Sequence, residues 1–249
     1  MSAERTEPGE SSQPTASEGN EQSKTVVPRF WNVWQTIGLT LLSLAGGIVA
    51  SLVFRALISA SGLDLEGGVL PIAECSSSVA IIVLTIWFAR IRCDASVSRC
   101  LALRPVGFKT LVSSLFVMCV IGLVFGFLGG SPNQSDISDF LQGADKSASF
   151  LVLFGLGVVF ISPLAEELLF RGFMFHGLRN STLGGVGATV ITAALWAILH
   201  FQYDALVVFS LFGFGLLLGA SRDITGSIVP SLLMHMAANF VRFVQFVLM

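Results

Sequence analysis

The feature that most constrains this chain is a series of seven apolar stretches of 16 to 31 residues, to be compared with the ~20 an α-helix needs to cross a bilayer, joined mostly by short connections. They run from about Trp34 to Ala60, Val69 to Ala89, Thr110 to Gly129, Ala148 to Leu178, Val186 to Phe201, Ala205 to Ala220 and Gly226 to Leu248. Only 12% of the residues are charged and 53% are hydrophobic, against roughly 25% charged in soluble domains. The chain is therefore expected to be an all-α, polytopic membrane bundle of about seven to eight transmembrane helices.

The first thirty or so residues are rich in Ser, Glu, Gln, Thr and Pro and lack the apolar core of a signal peptide. They read as a disordered, uncleaved tail (1–30). Residues 31–147 hold apolar helices without a distinctive motif, and 148–249 hold all the motifs discussed below.

The stretch "RIRCDASVSRCLALRPVGFK" carries Arg90, Arg92, Arg99, Arg104 and Lys109 and is the most basic connection in the chain. By the positive-inside rule it faces the cytoplasm, which also places the N-terminus there, in a plasma membrane of bacterial type. The acidic connection "SPNQSDISDFLQGADKS" is expected outside, and "SRDITGS", with Arg222, inside.

A net charge of -2 offers no basic field for nucleic acid. The four cysteines, Cys75, Cys93, Cys100 and Cys119, show no CxxC or Cys/His spacing and read as small packing residues. Gly122, Gly126 and Gly130 repeat at four-residue spacing, which permits close helix packing in lipid.

Against this apolar background "SPLAEELLFRGFMFHGL", from Ser162, is anomalous, because an unpaired intramembrane charge costs a few kcal/mol by insertion scales. Glu167 and Arg171 are four residues apart and can pair along one helical face, with Pro163 as the expected kink. Glu166, about 100° further round the helix, is then left free. His200 ends the fifth stretch, with Trp196 one turn before it, and His235 and Asn239 share a face of the seventh.

Counted inward at about 1.5 Å per residue, Glu166 lies about 20 Å deep, His200 about 21 Å and His235 about 14 Å. Three helices can thus aim polar groups at one internal cavity, provided the fourth helix continues as far as Leu178. His176 is assigned to the membrane interface, and Arg242 to snorkelling or pairing.

In such a cavity Glu166 suits a general base that takes a proton from water. His200 can orient that water, and His235 with Asn239 can supply donors to a developing oxyanion. No cofactor is required. Zinc held by Glu166, His200 and His235 is the lesser alternative, since no HExxH helix is present. Neither a GxSxG elbow nor an intramembrane lysine supports serine chemistry.

"EELLFR" (Glu166, Glu167, Arg171), "WAILH" (Trp196 to His200) and "HMAAN" (His235 to Asn239), in that order, resemble the signature motifs of the CAAX prenyl protease and bacteriocin-processing family, CPBP or Abi. Its pattern is EExxxR, then FxxxH, then HxxxN, and Trp196 stands where phenylalanine is commoner. The resemblance covers the C-terminal hundred or so residues.

It implies an intramembrane glutamate-dependent endopeptidase. In that reading Glu166 and His200 activate water, His235 and Asn239 form the oxyanion site, and Glu167 and Arg171 support them. The expected partners are the lipid bilayer and a membrane-associated peptide or protein substrate, with a prenylated CaaX tail as one candidate and no nucleic acid. Two other classes compete: a non-proteolytic protein acting in bacteriocin immunity or scaffolding, and a proton-coupled transporter, which lacks an evident inverted repeat.

Overall fold

The computed structural model describes residues 32–62, 69–93, 96–127 and 148–248. The tail expected over residues 1–30 and the acidic connection before Ala148 lie outside the described residues. Within them the chain is helical and contains no strand. The helices are α1 (Val33–Ser61), α2 (Val69–Arg92), the short α3 (Val97–Cys100), α4 (Phe108–Phe127), α5 (Ala148–Arg179), α6 (Gly184–Ile198), α7 (Ala205–Thr225) and α8 (Val229–Leu248).

Five of them, α1, α2, α5, α7 and α8, are long and apolar enough to cross a membrane. The protein is an integral membrane helical bundle. Local signals end the helices: Asn32 caps α1 by accepting from the Gln35 amide at 2.8 Å, and Gly62 and Gly226 end α1 and α7 with φ near +68° and +67°, a conformation costly for any residue with a Cβ.

Helix α1 is built inside out relative to a soluble helix. Thr36, Thr40, Ser43 and Gly47 are buried, whereas Leu41, Leu42, Ile48, Val49, Leu52 and Val53 are exposed. Lipid tails are as apolar as leucine, so large side chains gain nothing by turning inward and small residues line the seam with α2. A Cβ on Gly47 would lie 2.8 Å from Ile81 Cγ1 and from Ser77 Oγ.

Among the glycines picked out by spacing, Gly122 does not mark a close helix contact. Gly122 has nothing within 4 Å of an added Cβ, because α4 sits at the edge of the bundle, with α8 its main neighbour. Gly130 lies outside the described residues, and the surroundings of Gly126 are not described. Tight approaches elsewhere include Gly155, Gly215 and Gly219, where Phe243, Ala193 and Thr189 press on the missing side chain.

Helix α5 is the centre of the bundle. Leu168 and Phe173 pack with Phe88, Ala89, Leu101, Ala102 and Ile228 on one side. Leu169, Phe170, Met174, Phe175 and Leu178 pack with Ala188 and Trp196 on the other. The helix runs through to Arg179, as the depth argument required, but two segments are wound as π-helix, Gly157–Ile161 and Glu167–Met174. The irregularity expected at Pro163 thus takes the form of widened turns flanking the proline, which cannot donate a backbone hydrogen bond.

Three further expectations are corrected. Arg222 is not in a connection: α7 continues to Thr225 and buries it. Its Nε donates to the Arg171 carbonyl at 3.0 Å, which offsets the cost of burying the guanidinium. Cys93 and Cys100 are not packing residues but a disulfide pair, because the turn through α3 brings their Cα atoms to 6.5 Å. His200 lies beyond the end of α6, in the turn that follows it.

Replacing Gly215 by valine drives a branched side chain into the Ala193 backbone, 3.1 Å from an added Cβ, and should cost about 1–3 kcal/mol. Gly122→Val meets open space and should leave thermal stability in detergent unchanged. Equal melting shifts for the two would contradict this packing.

Candidate functional site

The site forms where α5, α6 and α8 meet, and its anchor is an ion pair. Arg171 Nη1 donates to Glu167 Oε1 at 3.1 Å with both side chains fully buried, as the four-residue spacing predicts. The guanidinium also donates from Nη2 to the Gly215 carbonyl on α7 at 3.3 Å. Its carbon stands 5.1 Å from the centroid of the Trp196 ring on α6, a cation–π arrangement.

His235 on α8 completes the pair. Its Nδ1 lies 3.0 Å from Glu167 Oε1, so that carboxylate oxygen accepts from both an arginine and a histidine. A carboxylate can only accept, which puts the histidine hydrogen on Nδ1 and turns Nε2 to the opposite side. There it faces Glu166 Oε2 at 3.7 Å. Trp196 and Phe214 present rings near-perpendicular to the imidazole, at centroid distances of 5.3 and 6.1 Å, and restrict its rotation.

Glu166 is not the free carboxylate expected from helical spacing. Its Oε1 accepts from Ser162 Oγ at 2.8 Å and its Oε2 accepts from Trp196 Nε1. Nor does the offset of about 100° between adjacent residues send Glu166 and Glu167 to separate neighbours; they reach the two nitrogens of one imidazole. The two carboxylates differ in access: Glu166 is 25% exposed and Glu167 not at all.

Asn239, one turn after His235, donates from Nδ2 to the Val158 carbonyl at 2.9 Å. This occupies a carbonyl of the first π segment, as Arg222 occupies one of the second. Both irregular stretches of α5 are thus tied by a side chain from another helix. His200 stands apart from the carboxylates: its Nδ1 is 2.9 Å from the Trp196 carbonyl, and its ring stacks beside Tyr203 at 6.2 Å. An apolar groove of about 530 Å³ lined by Ala197, Ile198, Phe201, Tyr203 and Phe209 opens next to that turn.

Sequence reasoning named Glu166, Glu167, Arg171, His235 and Asn239, which the structure brings together, but it aimed Glu166 away from Glu167 and put His200 inside the cavity rather than at the margin of the cluster. It missed Ser162, although its position four residues before Glu166 was a readable signal. It also noted Trp196 only as standing where phenylalanine is commoner, without giving its N–H a role. The indole N–H is a donor that phenylalanine lacks, and it is spent on Glu166.

Residues 148–241 match the family model described as type II CAAX prenyl endopeptidase, Rce1-like. The chain is also 31% identical over 139 residues to an uncharacterized 24.3 kDa protein of Escherichia coli, an alignment covering 55% of this chain and 63% of that relative's length. No solved structure matches the chain.

Arg171→Met leaves the Glu167 carboxylate buried with one cationic partner fewer and should destabilise the bundle by about 3–5 kcal/mol. Adding Glu167→Leu in the same chain should recover part of that loss, because no charge is then stranded. Thermal unfolding of the single and double variants in detergent checks this; strictly additive losses would show that the two residues are not coupled.

Proposed function

Because residues 148–241 match the family model of type II CAAX prenyl endopeptidases, Rce1-like, we propose that this chain is an intramembrane endopeptidase that uses Glu166 to activate water. Its substrate is a membrane-associated peptide or protein, with a prenylated CaaX-type tail the first class to test. The observation that carries this reading is the asymmetry of the two glutamates around His235. Glu167 is sealed and neutralised by Arg171, while Glu166 is reachable and held by two donors.

The 3.7 Å between Glu166 Oε2 and His235 Nε2 is too long for a direct hydrogen bond and short enough for one water to touch both. Glu166 takes a proton from that water as its oxygen adds to the scissile carbonyl. When the tetrahedral intermediate collapses, the C–N bond breaks and Glu166 returns the proton to the leaving amine. A proton on His235 Nε2 makes it a donor to the oxyanion, balanced by Glu167 behind the ring. Asn239 keeps its second N–H for the same purpose, since an amide carries two and Val158 takes one.

Ser162 and Trp196 are positioning residues that hold the Glu166 carboxylate in one rotamer. His200, at the margin of the cluster and beside the apolar groove, orients incoming water and substrate. The groove's chemistry suits an apolar or lipid-modified residue near the scissile bond. Cleavage is written here without a metal; zinc at Glu166, His200 and His235 is the competing proposal.

The test is turnover of quenched peptides, with and without a farnesylated cysteine, by purified protein with and without a chelator. Glu166→Gln should lower kcat by roughly 10²- to 10⁴-fold in a protein that still melts cooperatively. Turnover unaffected by that change would sink the glutamate mechanism, and turnover abolished by chelator would favour zinc. No turnover of any peptide by a folded protein would point to the immunity or scaffolding role.

Trp196→Phe keeps the aromatic packing and removes one charge-assisted hydrogen bond, worth about 1.5–3 kcal/mol. It should lower kcat about tenfold or more with KM little changed; an unchanged kcat would remove Trp196 from the positioning role.

A further inference from the structure

At the arginine-rich end of the bundle, away from the carboxylates, three residues converge that the proposed reaction does not use. Cys93 follows α2, Cys100 closes α3, and His176 lies in the last turn of α5. One ligand atom from each lies within 4.8 Å of the others. Zinc–sulfur and zinc–nitrogen bonds of about 2.3 and 2.0 Å arranged tetrahedrally put neighbouring ligand atoms roughly 3.5–3.8 Å apart, so small side-chain adjustments turn this group into a coordination set.

We propose that Cys93, Cys100 and His176 form a three-ligand site for a borderline-soft divalent cation, zinc foremost, which fills when the Cys93–Cys100 bond is reduced. Two cysteines and one histidine match zinc's preference for sulfur and nitrogen, and a disulfide by itself has no need of an imidazole beside it. Arg90, Arg92, Arg99 and Arg104 surround the two cysteines in sequence. Such a flank belongs on the cytoplasmic side, where thiols are kept reduced.

Reduction by two glutathione molecules breaks the S–S bond, gives two cysteine thiols and leaves glutathione disulfide. Metal binding then displaces the two thiol protons.

The loop stays in place without the disulfide, because other contacts hold it. Leu101 sits against Gly172 of α5, its carbonyl oxygen 3.3 Å from where a Cβ would be. The Ile228 amide donates to the Ala102 carbonyl at 3.1 Å, and Ser227 Oγ donates to the Arg104 carbonyl at 2.6 Å. The ligands are thus preorganised on α5 and the α2–α4 connection. Three protein ligands leave a fourth position to water, so the ion exchanges with a chelator without unfolding the bundle. The site joins the connection to the helix that carries Glu166 and Glu167 and gives the cell a metal- and redox-sensitive clamp on it.

The experiment is a cobalt(II) titration of the purified full-length chain in detergent, once as oxidised protein and once after anaerobic phosphine reduction, read by the thiolate-to-cobalt charge-transfer band. The reduced protein should bind cobalt with that band and lose it to EDTA or to equimolar zinc; the oxidised protein should show none. Cys93→Ser and Cys100→Ser should abolish the band, and Cys75→Ser with Cys119→Ser should leave it intact. His176→Gln should weaken binding about tenfold or more, the scale on which even outer-shell partners of a metal act. The two wild-type samples differ by no substitution, so misfolding of a variant cannot mimic the result. No band from folded, reduced wild type, a disulfide that resists reduction, or a band that survives Cys93→Ser would each overturn the proposal.

Discussion

The Glu167–Arg171 ion pair is the interaction on which the rest of the structure depends. Both groups are fully buried, and the desolvation of two charges is repaid only where geometry and further hydrogen bonds are good. The compensation comes from three other helices: the Gly215 carbonyl of α7, the Trp196 face of α6 and the His235 imidazole of α8. Partnering one carboxylate and one guanidinium in this way, with Glu167 Oε2 and Arg171 Nε still without a hydrogen bond, ties α6, α7 and α8 to α5. Glu166, the next residue along, inherits its position from that arrangement.

The same logic explains why α5 can be irregular inside a membrane protein. Non-helical or widened backbone is tolerated at bilayer depth only where protein supplies the missing partners. Here Asn239 takes the Val158 carbonyl and Arg222 takes the Arg171 carbonyl. Each π segment is thus fastened to a neighbouring helix at the point where its own ladder is disturbed. The widened turn beginning at Glu167 holds both carboxylates against one imidazole.

Short helices also matter to the site. With 15 residues, α6 rises about 22 Å, less than the ~30 Å of hydrocarbon, and His200 lies in the turn just beyond its end. Its backbone is covered by bonds of its own, from the His200 and Phe201 amides to the Ala197 and Ile198 carbonyls.

The sequence by itself determined the helical membrane architecture, the order of the helices and the pairing of Glu167 with Arg171. The first two follow from apolar length, which the bilayer dictates, and the third from the 3.6-residue helical period. It also indicated that Glu166 and His235 could meet, since depth along a helix is a count of residues. What only the tertiary structure decided depends on rotation and crossing of helices, which no local pattern encodes. Examples are the placing of His235 between two glutamates, the indole donor that Trp196 gives to Glu166, the inward turn of Arg222 and the union of Cys93 with Cys100 beside His176. Spacing along one helix names the residues that share a face; which neighbour that face meets is settled by packing across the bundle.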